Sequence, residues 1–148
     1  MGFYQSRVVP FVVDLACGTA GLARWRTKAT QGLAGDIVEI GFGAGRNVPF
    51  YPDDVRRVYA VEPSLVSMKM AYRRNASSRV RIEHIGLDGA RIELADQSCD
   101  GALMTFTLCT VADPQVVLTE IRRVLRPGAK LHFLEHGISP ESRIATWQ

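Results

Sequence analysis

The residues of this chain best suited to chemistry begin at a glycine-rich turn. Asp36 to Asn47 reads D-I-V-E-I-G-F-G-A-G-R-N. Asp36 to Ile40 has the pattern of a short buried strand, with Glu39 near its end. Gly41, Gly43 and Gly45 alternate through the turn that follows, and a helix is predicted from Arg46 onward. Such a turn lets a ligand lie against bare backbone, because no Cβ blocks the approach. A helix N-terminus behind it would add unpaired N–H groups and a partial positive charge. The chemistry indicated is the binding of a nucleotide-type cofactor at the end of an α/β sheet.

Two carboxylates downstream fit that reading. Glu62 ends the β-rich run Val58–Val61 and precedes Pro63, about twenty residues after the loop, where a carboxylate can accept from both ribose hydroxyls. The lesser alternative is a solvated Glu that caps the next helix. Asp88 precedes Gly89 after a third strand-like stretch. It can face a base or simply make a turn.

The loop discriminates between cofactors. A dinucleotide fingerprint is G-x-G-x-x-G, and its third glycine lets the helix pack close to a pyrophosphate. That position is Arg46 here. NAD and FAD are therefore disfavoured, and a nicotinamide-dependent oxidoreductase is the remote alternative.

Around the loop, strand and helix patterns alternate. Residues 1–35 form an N-terminal helical segment, with Val8, Val12, Leu15, Ala16 and Leu22 near helical spacing. Asp14 to Gly21 is glycine-containing but lacks the alternation, and reads as helix beside the site. From 36 to 148 the chain reads as one α/β core. Leu65–Arg74 is helical, Val80–Ile85 alternates as a strand, and Asp100–Phe106 is a fourth strand. Asp113 caps a helix opened by Pro114 and stopped at Arg126-Pro127-Gly128. Ala129–Leu134 is a fifth strand. Strands separated by helical segments imply a doubly wound parallel sheet.

Composition sets the frame. The chain has 148 residues, 47% hydrophobic, with a net charge of +3. That suits one domain with a real core, and no nucleic-acid-binding stripe. The cysteines, Cys17, Cys99 and Cys109, show no metal-ligand spacing, so no metal site is expected and a reducing, cytoplasmic setting is. No apolar run reaches the length of about 18 residues that a transmembrane helix needs.

In combination, F-G-A-G-R-N-V-P-F-Y-P, A-V-E-P-S, T-F-T-L-C-T-V-A-D-P, I-R-R-V-L-R-P-G and F-L-E-H-G resemble class I S-adenosylmethionine-dependent methyltransferases of the Methyltransferase-11 type. The resemblance extends to the methyltransferase-like 7 group, which includes thiol methyltransferases. It implies a Rossmann-like sheet of order 3-2-1-4-5-7-6. It also implies S-adenosyl-L-methionine as cofactor, held by Glu39, Gly41, Gly43, Gly45, Glu62, Pro63, Asp88, Gly89 and Thr105. The methyl acceptor would be a small molecule, a thiol, lipid or quinone. Thr107 and Cys109 after strand four, and Glu135 and His136 after strand five, lie where the acceptor is expected. His136 could deprotonate a thiol or amine, or hold a loop backbone. Cys109 could be a small buried apolar residue. The family pattern continues with two further strands that cannot be placed here. A truncated, catalytically impaired form is therefore the alternative, with self-association expected through the open edge of strand five.

Overall fold

The computed structural model describes residues 11, 14, 15 and 18–137. Phe11, Asp14 and Leu15 are helical; Val8, Pro10, Val12, Ala16 and Cys17, on which part of the N-terminal helix expectation rests, lie outside the described residues. A 3₁₀ turn, Ala20–Leu22, leads into helix α1, Ala23–Thr30.

Five strands follow: β1, Gly35–Ile40; β2, Val55–Val61; β3, Arg81–Gly86; β4, Cys99–Thr105; and β5, Leu125–Leu134. They form one sheet in the order β3-β2-β1-β4-β5, and every pairing is parallel. The α/β class and the first five places of the expected order are thus observed. Helix α2, Leu65–Arg74, joins β2 to β3, and helix α3, Pro114–Val124, joins β4 to β5. Ser64 caps α2 by accepting the Ser67 N–H at 3.1 Å, and Asp113 caps α3 through Gln115 and Val116.

The period of two along β1 divides the core. Ile37 packs on one face with Leu33, Tyr51, Val58, Met68 and Ala71. Val38 and Ile40 pack on the other with Val61, Met104, Val117 and Ile121. The first face is covered by α1 and α2, the second by α3. Glu39 alternates onto the face of Ile37 and is 1% exposed.

Two local expectations fail. No α-helix begins at Arg46. The chain turns and makes only a 3₁₀ turn at Val48–Phe50. Pro49 and Pro52 supply no N–H to an α-helical ladder, so a helix could not run through them unbroken. The loop therefore has no α-helix N-terminus directly behind it. The second difference is at β5, which starts at Leu125 and not Ala129. Cys99 pairs with Leu125, the register shifts, and pairing resumes at Gly101 with Lys130. Gly128, at φ +84°, takes up the irregularity.

Arg123 fastens the long connection from β3 to β4. It donates to the carbonyls of Leu94 and Ile92, each at 2.8 Å, and pairs with Glu120 and Asp96.

Candidate functional site

A cavity of about 700 Å³ opens at the C-terminal ends of β1, β2, β3 and β4. Its wall holds Gly41, Gly43, Glu62, Pro63, Asp88, Gly89, Thr105 and Thr107 from the expected set, together with Asp14, Arg26, Arg46, Asn47 and Phe106. The volume suits one cofactor-sized molecule.

The loop's shape requires its glycines. Gly41, Gly43 and Gly45 have φ of +70°, +57° and +71°, a region other residues enter at a cost. A Cβ on Gly41 would lie within bonding overlap of the Thr107 side chain, and one on Gly45 would reach the Asn75 amide at 2.5 Å. These two glycines let the loop sit tight against β4 and α2. Gly43 differs: a Cβ there meets nothing nearer than the Gly41 carbonyl at 3.9 Å. Its bare surface faces room, which is what a ligand lying on the loop needs.

Glu62 is 7% exposed and holds the loop from the neighbouring strand. One carboxylate oxygen accepts the Gly43 N–H at 2.8 Å and the other accepts the Ser64 N–H at 2.8 Å. Burial pushes its pKa up, and those two N–H groups hold it back. Each carboxylate oxygen has a second lone pair for a ligand hydroxyl. Asp88 accepts the Ala90 N–H at 2.8 Å, so it makes the turn while it lines the cavity.

Glu39 does not line the cavity. Its carboxylate lies behind the loop, accepting from Asn47 Nδ2 at 2.7 Å and from the Tyr51 hydroxyl. Burial pushes Glu39 up to about 7, against the pull of those two donors and of Arg26. Asn47 is the hub of this network. It donates to Glu39 and, at 3.0 Å, to Thr105 Oγ1, while its carbonyl oxygen accepts from Arg26 Nη1 at 2.6 Å. With both donors engaged on acceptors, the amide has a defined orientation.

The residue in the third-glycine position also has structural work. Arg46 forms a two-pronged pair with Asp14, both contacts at 2.7 Å. Arg74 of α2 makes a second fork on the same carboxylate, at 2.9 and 2.8 Å, and donates to the Ala44 carbonyl. Burial pushes Asp14 up, but the two guanidiniums outweigh it and hold the carboxyl down at about 2. Asp14, read from sequence as lying in a helix beside the site, ties that helix to the cofactor loop.

The expected acceptor residues are less gathered. Thr107 is buried, and its hydroxyl donates toward the Ile40 and Thr105 carbonyls at 3.2 and 3.1 Å. Glu135 accepts the Thr107 and Leu108 N–H groups at 2.8 and 3.0 Å, pinning the exit loop of β4. Phe106, in that loop, has φ +56°. His136 is exposed and stacks on Phe106, with ring centres 6.5 Å apart. Cys109 is exposed rather than buried, and neither it nor His136 lines the cavity. Among the described residues, no group of three or more His, Cys, Asp or Glu converges as a metal site would require.

Known proteins resemble this chain in sequence and in fold. A family model described as a methyltransferase domain matches residues 38–133, which carry the whole sheet-end site except its N-terminal contributions. The chain belongs to the methyltransferase-domain family. It is 36% identical over 129 residues to the human thiol S-methyltransferase TMT1B, covering 82% of this chain and 52% of that protein. It is 32% identical over 116 residues to a demethylmenaquinone methyltransferase of Renibacterium salmoninarum, covering 76% of this chain and 47% of that one. The chain thus spans about half the length of these curated relatives. A SAM-dependent methyltransferase structure from Aquifex aeolicus superposes with a TM-score of 0.73 over 90% of this chain and 76% of its own, at 20% identity. The fold of this methyltransferase-domain chain is therefore the one those enzymes use.

Asp14, Arg26 and Asn47 line the cavity and Tyr51 backs Glu39, and the sequence singles out none of the four for the site. Asn47 and Tyr51 lie within a stretch that carried the family resemblance, which was the available signal for them. Arg26 had none, since its partners Asn47 and Thr105 are 21 and 79 residues away.

Proposed function

We propose that this chain binds S-adenosyl-L-methionine and transfers its methyl group to a small acceptor, a thiol in the first instance. The observation that carries the reading is the row of groups at the strand ends, with Gly43 open to the cavity and the Glu62 carboxylate beside it. The thiol is favoured because TMT1B, the relative at 36% identity, is named a thiol S-methyltransferase.

Glu62 accepts from the ribose hydroxyls with the lone pairs its backbone contacts leave. Asp88 faces the adenine end. Gly41 and Gly43 let the backbone approach the ligand closely. The residues present fit such a cofactor without a metal. When bound, the cofactor supplies an electrophilic methyl on a sulfonium. The chain's part is to align donor and acceptor and to keep water out. Phe106 and Val111 give the cavity an apolar wall for the acceptor. His136 stacks on Phe106 outside the cavity lining, so it would take the thiol proton of an acceptor that extends past that ring.

The reactive acceptor is the thiolate. The test is methyl transfer from radiolabelled S-adenosylmethionine to alkyl thiols, phenols and amines, read across pH. Thiol methylation is expected, with a rate rising toward the thiol's own pKa, and about a tenfold lower rate or less of a loss in His136→Ala with unchanged affinity for S-adenosylhomocysteine. Methylation of amines or phenols alone would overturn the thiol assignment. Absence of cofactor binding would overturn the whole reading.

A further inference from the structure

Asp14 stands in the cavity wall beside the cofactor loop, with its side chain 10% exposed. Its two oxygens are forked by Arg46 of the loop and again by Arg74 of α2. Gly18, further along the same segment, lies so close that a Cβ there would fall 2.5 Å from the Arg46 guanidinium. Arg74 also donates to the Ala44 carbonyl at 2.7 Å, so a cation that holds Asp14 holds the loop as well. Burial pushes the Asp14 carboxyl up, but the two guanidiniums hold it down at about 2, so it is fully charged at neutral pH. Two cations therefore meet one fixed anion at this wall. Whatever else the arginines touch, neutralising that anion makes the wall more positive by one charge.

The chemistry of the ligand makes that charge matter. S-adenosylmethionine carries a sulfonium, an ammonium and a carboxylate, and is a net cation. S-adenosylhomocysteine lacks the transferred methyl and the sulfonium charge, and is neutral overall. On the reading proposed above, Glu62 takes the ribose, and a single carbon joins that ring to the sulfur. Glu62 also holds the Gly43 N–H at 2.8 Å, next to Ala44. The sulfonium thus arrives at the loop that Asp14 and its two arginines surround. Charges several Å apart in a cavity partly shielded from water interact more strongly than in bulk solvent.

We propose that Asp14 balances the charge of the cofactor site: its carboxylate offsets Arg46 and Arg74, admits the cationic methyl donor, and sets the preference for S-adenosylmethionine over the neutral product. Asp14 acts through the field at the loop and needs no contact with the ligand. This inference rests on the cofactor reading but can fail separately.

The experiment is calorimetry, without acceptor, with S-adenosylmethionine and S-adenosylhomocysteine on the unaltered chain, Asp14→Asn, Asp14→Glu and Arg74→Gln. The quantity read is the ratio of the two affinities, donor over product. Asp14→Asn keeps the shape and removes the charge, and should lower that ratio by roughly 3- to 10-fold. Asp14→Glu keeps the charge and should keep the ratio. Arg74→Gln removes a cation from the same carboxylate and should raise the ratio, which tests the proposal even where Asp14→Asn does not fold. A purely structural Asp14 would weaken both ligands equally. That result, an Asp14→Glu that loses as much of the ratio as Asp14→Asn, or a ratio that Arg74→Gln fails to raise, overturns the proposal. Failure of the unaltered chain to bind either ligand would instead remove the cofactor reading beneath it.

Discussion

The top of β1 and β2 and the top of β4 and β5 adjoin at one end of the sheet but are built differently. Around β1 and β2, charged and polar groups are buried and committed to one another. Glu62 holds the loop, Glu39 holds Asn47 and Tyr51, and Asp14 holds Arg46 and Arg74. Around β4 and β5, backbone pinning by Glu135 gives way to exposed side chains: Cys109, His136 and Phe133, the last 65% exposed. The first region is preorganised by contacts within this chain, at the cost of desolvating charge. The second is a surface. Recognition of an invariant cofactor suits the first kind of construction. Variation of the acceptor among enzymes of one fold suits the second, because side chains at a surface change without disturbing a buried network.

The sharpest way to break this contrast is at Glu62. Glu62→Ala leaves the Gly43 and Ser64 N–H groups without their acceptor and removes the carboxylate from the cavity wall. A hydrogen bond to a charged group is worth roughly 1.5–3 kcal/mol, so the Kd for S-adenosylhomocysteine should rise on the order of 10- to 100-fold. Gly43→Val should act alongside it by filling the open space beside the loop. Calorimetry reads both, and an unchanged Kd in the two variants would show that the ligand lies elsewhere. An equal substitution on the other side, at Cys109, should leave that affinity where it was.

The second region-specific effect is on pH dependence, and it belongs to Glu39. Its carboxyl is raised by burial from the ordinary value of 4.5 to about 7. A folded state that holds the proton more tightly than the unfolded one is favoured by low pH. The stability this group contributes is therefore fully present below about pH 4.5 and is lost as pH rises through about 7. Glu39→Gln cannot titrate, so the decline between pH 4.5 and 7 should flatten in urea unfolding curves. A slope identical to the unaltered chain's would show that Glu39 is not the group responsible.

The same division explains what the sequence showed. The sheet was legible because alternation and glycine spacing are local signals. Val58–Val61 and Asp100–Phe106 carry their own pattern, and Gly41, Gly43 and Gly45 all proved to need a left-handed backbone. After the loop the sequence points to a helix because glycine-rich turns commonly open helices, whereas Pro49 and Pro52 prevent one here. The Arg26–Asn47–Glu39 network was illegible for another reason. Each member is an ordinary residue in its local window, and only folding brings α1 over the end of β4. Arg46 stands where the dinucleotide fingerprint has its third glycine, but its pairing with Asp14 depends on a segment 32 residues earlier.

The smallest expected effect lies at the outer strand. Among the described residues, β5 pairs with β4 alone, so one row of its backbone N–H and C=O groups has no strand beside it. Phe133 adds an exposed aromatic ring to that strand. An open apolar edge is a template for pairing with another copy. Charge on such an edge opposes pairing, because a second copy would have to bury it. Phe133→Lys should therefore shift concentration-dependent association toward the monomer, read by sedimentation velocity. The fold should change little, within about 0.5 kcal/mol, since the side chain is mostly in solvent. Binding of S-adenosylhomocysteine should not move, because β5 meets the cavity only through the β4 loop. Association that persists undiminished in the variant would place the contact between copies on another face, and a weakened cofactor affinity would mean that the two regions are not independent.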